Sequence, residues 1–245
     1  GNELYKTDGT IAGTILVKNI YPGANKNSYP NNFTELNNTI YFSASNGTTG
    51  YELWKTDGTE AGTELVKDIN PGSGSTFSTD TPIINFNNEL YFIKGTTLWK
   101  SDGTNIGTVE VKDLEANVKR VLVFNSKLHI FNYGNSFWVS DGTNVGTTKI
   151  EVPINEFWHN GEFEVVNDKL FFQGNNDCGY EIWVTDGTAN GTMLLKDIHP
   201  SFDDNNIEDI VELNGKAIFT ASDSNWKKKE IYFSDGTKKR TSLLK

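Results

Sequence analysis

The tripeptide Asp-Gly-Thr occurs six times, beginning at Asp8, Asp57, Asp102, Asp141, Asp186 and Asp235, at intervals of 49, 45, 39, 45 and 49 residues. A period near 45 residues lies in the range of propeller blades of four strands, and a β-helix would need a much shorter one. An aromatic stands three residues before each Asp: Tyr5, Trp54, Trp99, Trp138, Trp183 and Tyr232. Five copies continue with Gly-Thr, at Gly13, Gly62, Gly107, Gly146 and Gly191, whereas the sixth reads Lys239-Arg240 there and is expected to lack the pair.

A second element recurs between these copies: an apolar run, a pair of turn formers, then alternating apolar residues. The pairs are Asn37-Asn38, Asn87-Asn88, Asn125-Ser126, Asn167-Asp168 and Asn214-Gly215. Type I′ turns need positive φ at both central residues, which Asn, Asp and Gly tolerate best, so these pairs predict five tight hairpins. Each repeat then holds four short strands, A to D. In the second repeat these are 33–36, 39–44, 51–56 and 63–69, rich in β-branched and aromatic residues. No stretch keeps a helical period. The reading is an all-β chain, a β-propeller of four-stranded antiparallel blades within a single domain spanning 1–245. Its repeat units are 1–20 (a half-blade), 33–69, 82–114, 119–152, 163–198 and 208–245. Five complete blades plus a half-blade, strands C and D alone, imply a fragment of a longer protein. The intact ring is expected to have six or more blades, with the remainder of the longer chain as its first partner.

The string Glu52-Leu53-Trp54-Lys55-Thr56-Asp57-Gly58-Thr59, continued by Gly62-Thr63 and Val66-Lys67-Asp68-Ile69, resembles the ELWxxDGT repeat of bacterial secreted and surface proteins. The resemblance covers nearly the whole chain. Lys149-Ile150-Glu151 departs from the Val-Lys-Asp-Ile ending, as does the sixth copy from Gly-Thr. The resemblance implies a propeller-like architecture and a secreted or cell-surface location, reached in many members by the type IX route. It implies no reaction.

The six Asp-Gly-Thr aspartates are read as structural turn residues: Asp accepts backbone N–H groups, Gly takes positive φ and Thr bonds locally. One carboxylate per turn is too few for calcium, which takes six to eight oxygens. No enzyme constellation emerges. His129, His159 and His199 fall in different repeats without metal-site spacing, and His129 alternates with apolar neighbours as a packed histidine would. Cys178 is the only cysteine and has no nearby His to activate it, and Asp203-Asp204 read as a solvated pair. No cofactor-binding motif is present. A formal charge of −10 argues against nucleic acid, and no apolar run of 18 residues exists to span a membrane.

The residues that break the repeat are therefore the candidates for function. Propeller geometry sets the B–C and D–A connections on one face, and the long connections here, 21–32, 70–81, 153–162 and 199–207, are all of that kind. Trp158 and Trp226 lie in such loops, outside the repeated tryptophan position, and His159 is adjacent to the first. Loop aromatics stack on sugars and anchor protein contacts, so these three residues are the predicted ligand-binding set. The expected function is a non-enzymatic surface propeller binding a glycan or surface protein through its loop-rich face. The rivals are a structural spacer and a hydrolase with its site at the axial mouth.

Overall fold

A computed structural model describes residues 1–78, 81–157, 162–177, 179–198, 207–222 and 229–244. The chain divides into two compact units, Gly1–Glu115 and Ala116–Lys245. In the first, β1 (Leu4–Lys6) pairs with β2 (Ile15–Lys18). Two four-stranded meanders follow: β3 (Asn31–Leu36), β4 (Thr39–Ser45), β5 (Tyr51–Thr56), β6 (Glu64–Lys67); then β7 (Ile84–Phe86), β8 (Glu89–Lys94), β9 (Thr97–Ser101), β10 (Val109–Asp113). The second unit holds three more sheets. Its first is β11 (Val118–Phe124), β12 (Lys127–Asn132), β13 (Ser136–Ser140), β14 (Thr148–Glu151). Next come β15 (Glu156–Phe157), β16 (Phe163–Val166), β17 (Lys169–Asn176), β18 (Gly179–Thr185), β19 (Met193–Lys196), and finally β20 (Ile207–Leu213), β21 (Lys216–Ser222), β22 (Lys229–Ser234), β23 (Ser242–Leu243). All pairings are antiparallel between sequence neighbours, as the hairpin pairs require. The one addition is β15, a short strand inside the connection read as irregular, which pairs with β17 beside β16.

The hairpins turn as their sequences dictate. Asn37 and Asn38 take φ of 53° and 60°, Asn87 and Asn88 50° and 62°, Asn125 and Ser126 47° and 55°, Asn214 and Gly215 52° and 74°; in the remaining pair Asn167 has φ of 55°. Short side chains that bond their own backbone tolerate this left-handed region at low cost.

Within each unit sheets stack on one another, so the middle sheet of each has both faces buried. On the second sheet, Phe42, Ala44 and Trp54 pack with Leu4, Val17 and Ile20 of the half-sheet. Leu36, Tyr41, Leu53 and Val66 pack on the other side with Ile83, Leu90, Phe92 and Trp99 of the third sheet. The second unit repeats this, with Phe131 and Phe137 meeting Phe172 and Trp183, and Phe171 and Val184 meeting Phe219. The repeated aromatic occupies one register throughout: Phe42↔Trp54, Phe92↔Trp99, Ile130↔Trp138, Phe172↔Trp183 and Phe219↔Tyr232. The four tryptophans are 3–8% exposed, and their indole N–H groups are buried without an acceptor, so this position serves packing.

The Val-Lys-Asp-Ile ending has a structural reason. Leu53 pairs with Lys67 and Trp54 with Leu65, skipping Val66, so Val66 is a bulge residue turned into the core. Val17, Val111 and Leu195 sit at the same register shift. The lysine after the bulge clasps the next sheet: Lys18 Nζ donates to the carbonyls of Glu60 and Thr63, and Lys67 Nζ to those of Asn105 and Thr108. In the departing copy, Phe137↔Ile150 and Trp138↔Lys149 run in unbroken register, so there is no bulge. There Ile150 stands in the lysine's register, and Glu151 beyond it is held by Lys149 at 2.8 Å.

Candidate functional site

Each C–D connection is one closed hydrogen-bond unit. In all six, Asp Oδ1 accepts the Thr amide two residues on, at 2.8–3.0 Å, and the same threonine's hydroxyl, at 2.6–2.7 Å. The intervening glycine takes φ between 81° and 94°. In five copies the later glycine's N–H donates to that threonine hydroxyl, at 2.9–3.0 Å. These bonds hold the carboxyls of Asp8, Asp57, Asp102, Asp141 and Asp235 below the ordinary aspartate range, the Thr hydroxyl contributing most. Each carboxylate is thus engaged inside its own turn. Among the described residues, no three His, Cys, Asp or Glu side chains gather where they could hold a metal ion.

The sequence reading missed two partners in this unit. The residue before each Asp is always Thr or Ser: Thr7, Thr56, Ser101, Ser140, Thr185 and Ser234. Its hydroxyl meets that of the threonine seven positions on, at 2.7–2.8 Å, in all six copies. The sixth copy is corrected accordingly. It keeps its threonine as Thr241, bonded to Ser234, and lacks only the glycine. A Cβ at that glycine would fall 1.9–2.1 Å from the Asp carboxylate in the other copies, so Arg240 at this place requires another turn. Residues Lys238–Arg240 form a 3₁₀ turn, with the guanidinium 3.4 Å from Asp235 Oδ2.

At the opposite end of the sheets lie the B–C and D–A connections, and the motif glutamate organises their roots. Glu52 is fully buried; its oxygens accept the N–H groups of Ile69 at 2.9 Å and Thr76 at 3.1 Å, which ties the start of the connection from β6 to β7 to its middle. Glu3 does the same for the preceding connection, accepting from the Ile20 and Tyr21 amides and the Ser28 hydroxyl. Glu181 accepts the Ile198 amide at 3.0 Å. Where Thr97 replaces the glutamate, the D–A connection shrinks to four residues, 114–117. Burial pushes the Glu52 carboxyl up despite its two N–H donors. Glu52 and Glu181, both fully buried, thus each stand at the root of a long D–A connection, whereas the long connection after β14 follows Ser136 at the same position.

On this side of the first unit the loop aromatics surround a cavity of about 610 Å³, lined by Asn2, Tyr5, Tyr29, Tyr51, Phe77 and Ser78. Tyr29 is half exposed and held at φ +44°, in the left-handed region. The Tyr21 ring lies against Gly47 of the adjacent B–C connection, where a Cβ would come within 2.1 Å of it, and carries Lys26 Nζ 5.1 Å above its face.

The predicted ligand-binding residues Trp158, His159 and Trp226 lie outside the described residues, as do Cys178, His199, Asp203 and Asp204. His129 is 1% exposed between the rings of Phe124 and Phe137, and neither ring nitrogen has a partner. Burial lowers its pKa to about 4, so it stays neutral. Its register position holds Tyr41, Tyr91 and Phe171 in other sheets, which makes it a core residue.

No protein-family model matches this chain, and no curated protein matches its sequence. Solved structures do resemble it. Oligopeptidase B from Leishmania major aligns with 97% of this chain at 10% identity and a TM-score of 0.58, and the computationally designed Ika8 protein with 88% at 13% identity and a TM-score of 0.50. The chain spans 36% and 60% of the length of those two structures. The similar structures are propeller proteins, enzymes and non-enzymes alike, and identity this low shows the fold alone. That fold is the β-propeller.

Proposed function

We propose that this chain is a non-enzymatic binding module of a secreted or cell-surface protein, engaging a glycan or surface protein through its D–A and B–C loops. The observation that supports this most directly is the pairing of the motif glutamates, two of them fully buried, with long, dissimilar loops. Glu3, Glu52 and Glu181 fix the roots of three connections whose crowns share neither length nor sequence. The other end of every sheet is a near-invariant turn whose polar groups are satisfied internally. A constant frame presenting variable, root-fixed loops is the arrangement by which rigid scaffolds carry recognition. Exposed aromatics there, Tyr29 among the described residues, suit stacking on sugar rings or filling a pocket on a protein.

The test is a glycan array together with binding to extracted surface proteins, run on the chain and on variants Tyr29→Ala, Trp158→Ala and Trp226→Ala. Binding that weakens in at least one loop variant, with thermal stability unchanged, supports the reading. Binding lost equally when an Asn-Asn turn at the far end is altered, or absent against both ligand sets, contradicts it.

A further inference from the structure

We infer that the loop end of β11 is a binding site for an anionic glycan, in which Lys119 and Arg120 take the carboxylate or sulfate and Tyr133 takes a sugar ring. The inference rests on the binding role proposed above for the loop-rich face and names the ligand class.

A β-bulge sets the two cations at that end. Val118 pairs with Asn132 and Arg120 with Phe131, so Lys119 is the extra residue, just after the connection 114–117. Adjacent residues of a regular strand point to opposite faces; a bulge interrupts that alternation and re-aims a side chain. Lys119 Nζ lies 5.1 Å from the ring centre of Tyr133, which stands in the B–C connection of the same sheet. The Arg120 guanidinium lies 5.1 Å from the ring centre of Phe163 in the next sheet. The Tyr133 N–H donates to the Asn117 carbonyl at 3.4 Å, which ties the tyrosine to the root of β11. Tyr133 is 53% exposed, and Arg120 is exposed as well.

Neither cation belongs to the repeated frame. Phe131 occupies the register of Ser43 and Thr220, and the residues opposite those two are Asn31 and Glu208, so the repeat requires no base at the place of Arg120. Among the described residues, neither the Lys119 nor the Arg120 side chain forms an ion pair or a hydrogen bond. Two like charges thus stand close without a counter-ion: partial burial lowers the Lys119 pKa, and the Arg120 charge lowers it further. A bound anion removes that repulsion.

A guanidinium stacked on an aromatic face keeps its N–H edge for two parallel bonds to a carboxylate or sulfate. The exposed Tyr133 ring supplies the apolar surface on which a sugar lies. An acidic peptide would use the cations and leave the ring idle. The formal charge of −10 does not oppose this. At physiological ionic strength screening confines exposed charges to about 8 Å, so the local pair sets the field at the site.

The test measures binding of the full chain to polygalacturonate, dextran sulfate, unsubstituted dextran and polyglutamate. At least one of the two acidic polysaccharides is expected to bind, more weakly as salt is raised, and the tighter of them identifies the anion as carboxylate or sulfate. Arg120→Gln, Lys119→Gln and Tyr133→Ala should each weaken that binding by about tenfold, with the melting temperature unchanged. Lys238→Gln, the same charge change in a C–D turn, should leave it intact. Equal loss in Lys238→Gln would overturn the inference, because net charge and not this site would then govern binding. So would dextran or polyglutamate binding as tightly as the acidic polysaccharides, or neither acidic polysaccharide binding. In that last case the broader reading of the loop-rich face stands if neutral glycans or surface proteins still bind, and falls only if nothing does.

Discussion

The hydroxyls of Thr56 and Thr63 lie 2.7 Å apart, both buried, and form the middle of a directed relay. Thr63 donates its single proton to the Thr59 carbonyl at 2.7 Å, so it must accept from Thr56, which in turn accepts the Gly58 N–H at 2.9 Å. The same four-membered chain closes every Asp-Gly-Thr turn. Replacing Thr63 by Val removes the central link, leaving the buried Thr56 hydroxyl proton without an acceptor and the Thr59 carbonyl without its hydroxyl donor. A loss of about 1–2 kcal/mol is expected in urea denaturation, with Thr63→Ser recovering most of it.

Gly62 packs edge-on to the Asp57 carboxylate, where a Cβ would lie 2.1 Å from Oδ1. Gly62→Ala should therefore destabilise by about 1–3 kcal/mol through overpacking in a turn that has no slack. The same substitution in an Asp57→Ala background should cost much less. Additive losses in that double-mutant cycle would show that the collision is not the cause.

His129 confers acid sensitivity in the range just below neutrality. Its folded-state pKa is lowered to about 4, so between pH 6.5 and 4 the unfolded chain binds a proton that the folded chain refuses. Stability from this group is complete above pH 6.5 and falls as pH drops through that window, by about 3 kcal/mol in all. His129→Phe, matching Phe171 at the same register, should flatten the pH dependence of the melting temperature there. A slope as steep as that of wild type would contradict the assignment.

Glu52 acts in the opposite sense. Its pKa is raised by burial, so its contribution is complete below the ordinary glutamate value and declines as pH rises through the higher folded-state value. The carboxylate still fixes two amides, and Glu52→Ala leaves those of Ile69 and Thr76 without it. The expected loss is about 3 kcal/mol, with faster amide exchange at these two positions. Uniform acceleration across the chain, without a local excess at residues 69 and 76, would argue against a loop-anchoring role.

Much of this architecture was legible in the sequence because its causes are local. Asn37-Asn38 and the first residue of each counterpart pair take positive φ, and Asp57, Gly58 and Thr59 close their turn with their own groups. The fixed offset from Trp54 to Asp57 placed each tryptophan at one register, and its burial followed from that repetition. The Ser or Thr before each Asp was equally regular and was overlooked only because hydroxyl residues are common in turns. The loop candidates could be ranked only by breaking the pattern, which identifies a position without its surroundings.

What the sequence determined by itself was the period, the turn chemistry and the strand register, all set by interactions within a few residues. The tertiary structure alone decided that Val66 is a bulge residue facing the core and that Lys67 reaches 41 residues forward to Thr108. It likewise decided that Glu52 holds Thr76, 24 residues away. Those facts depend on which sheet lies against which. A side chain's partner across such a stack is fixed by packing between distant segments, and no pattern confined to one segment encodes it.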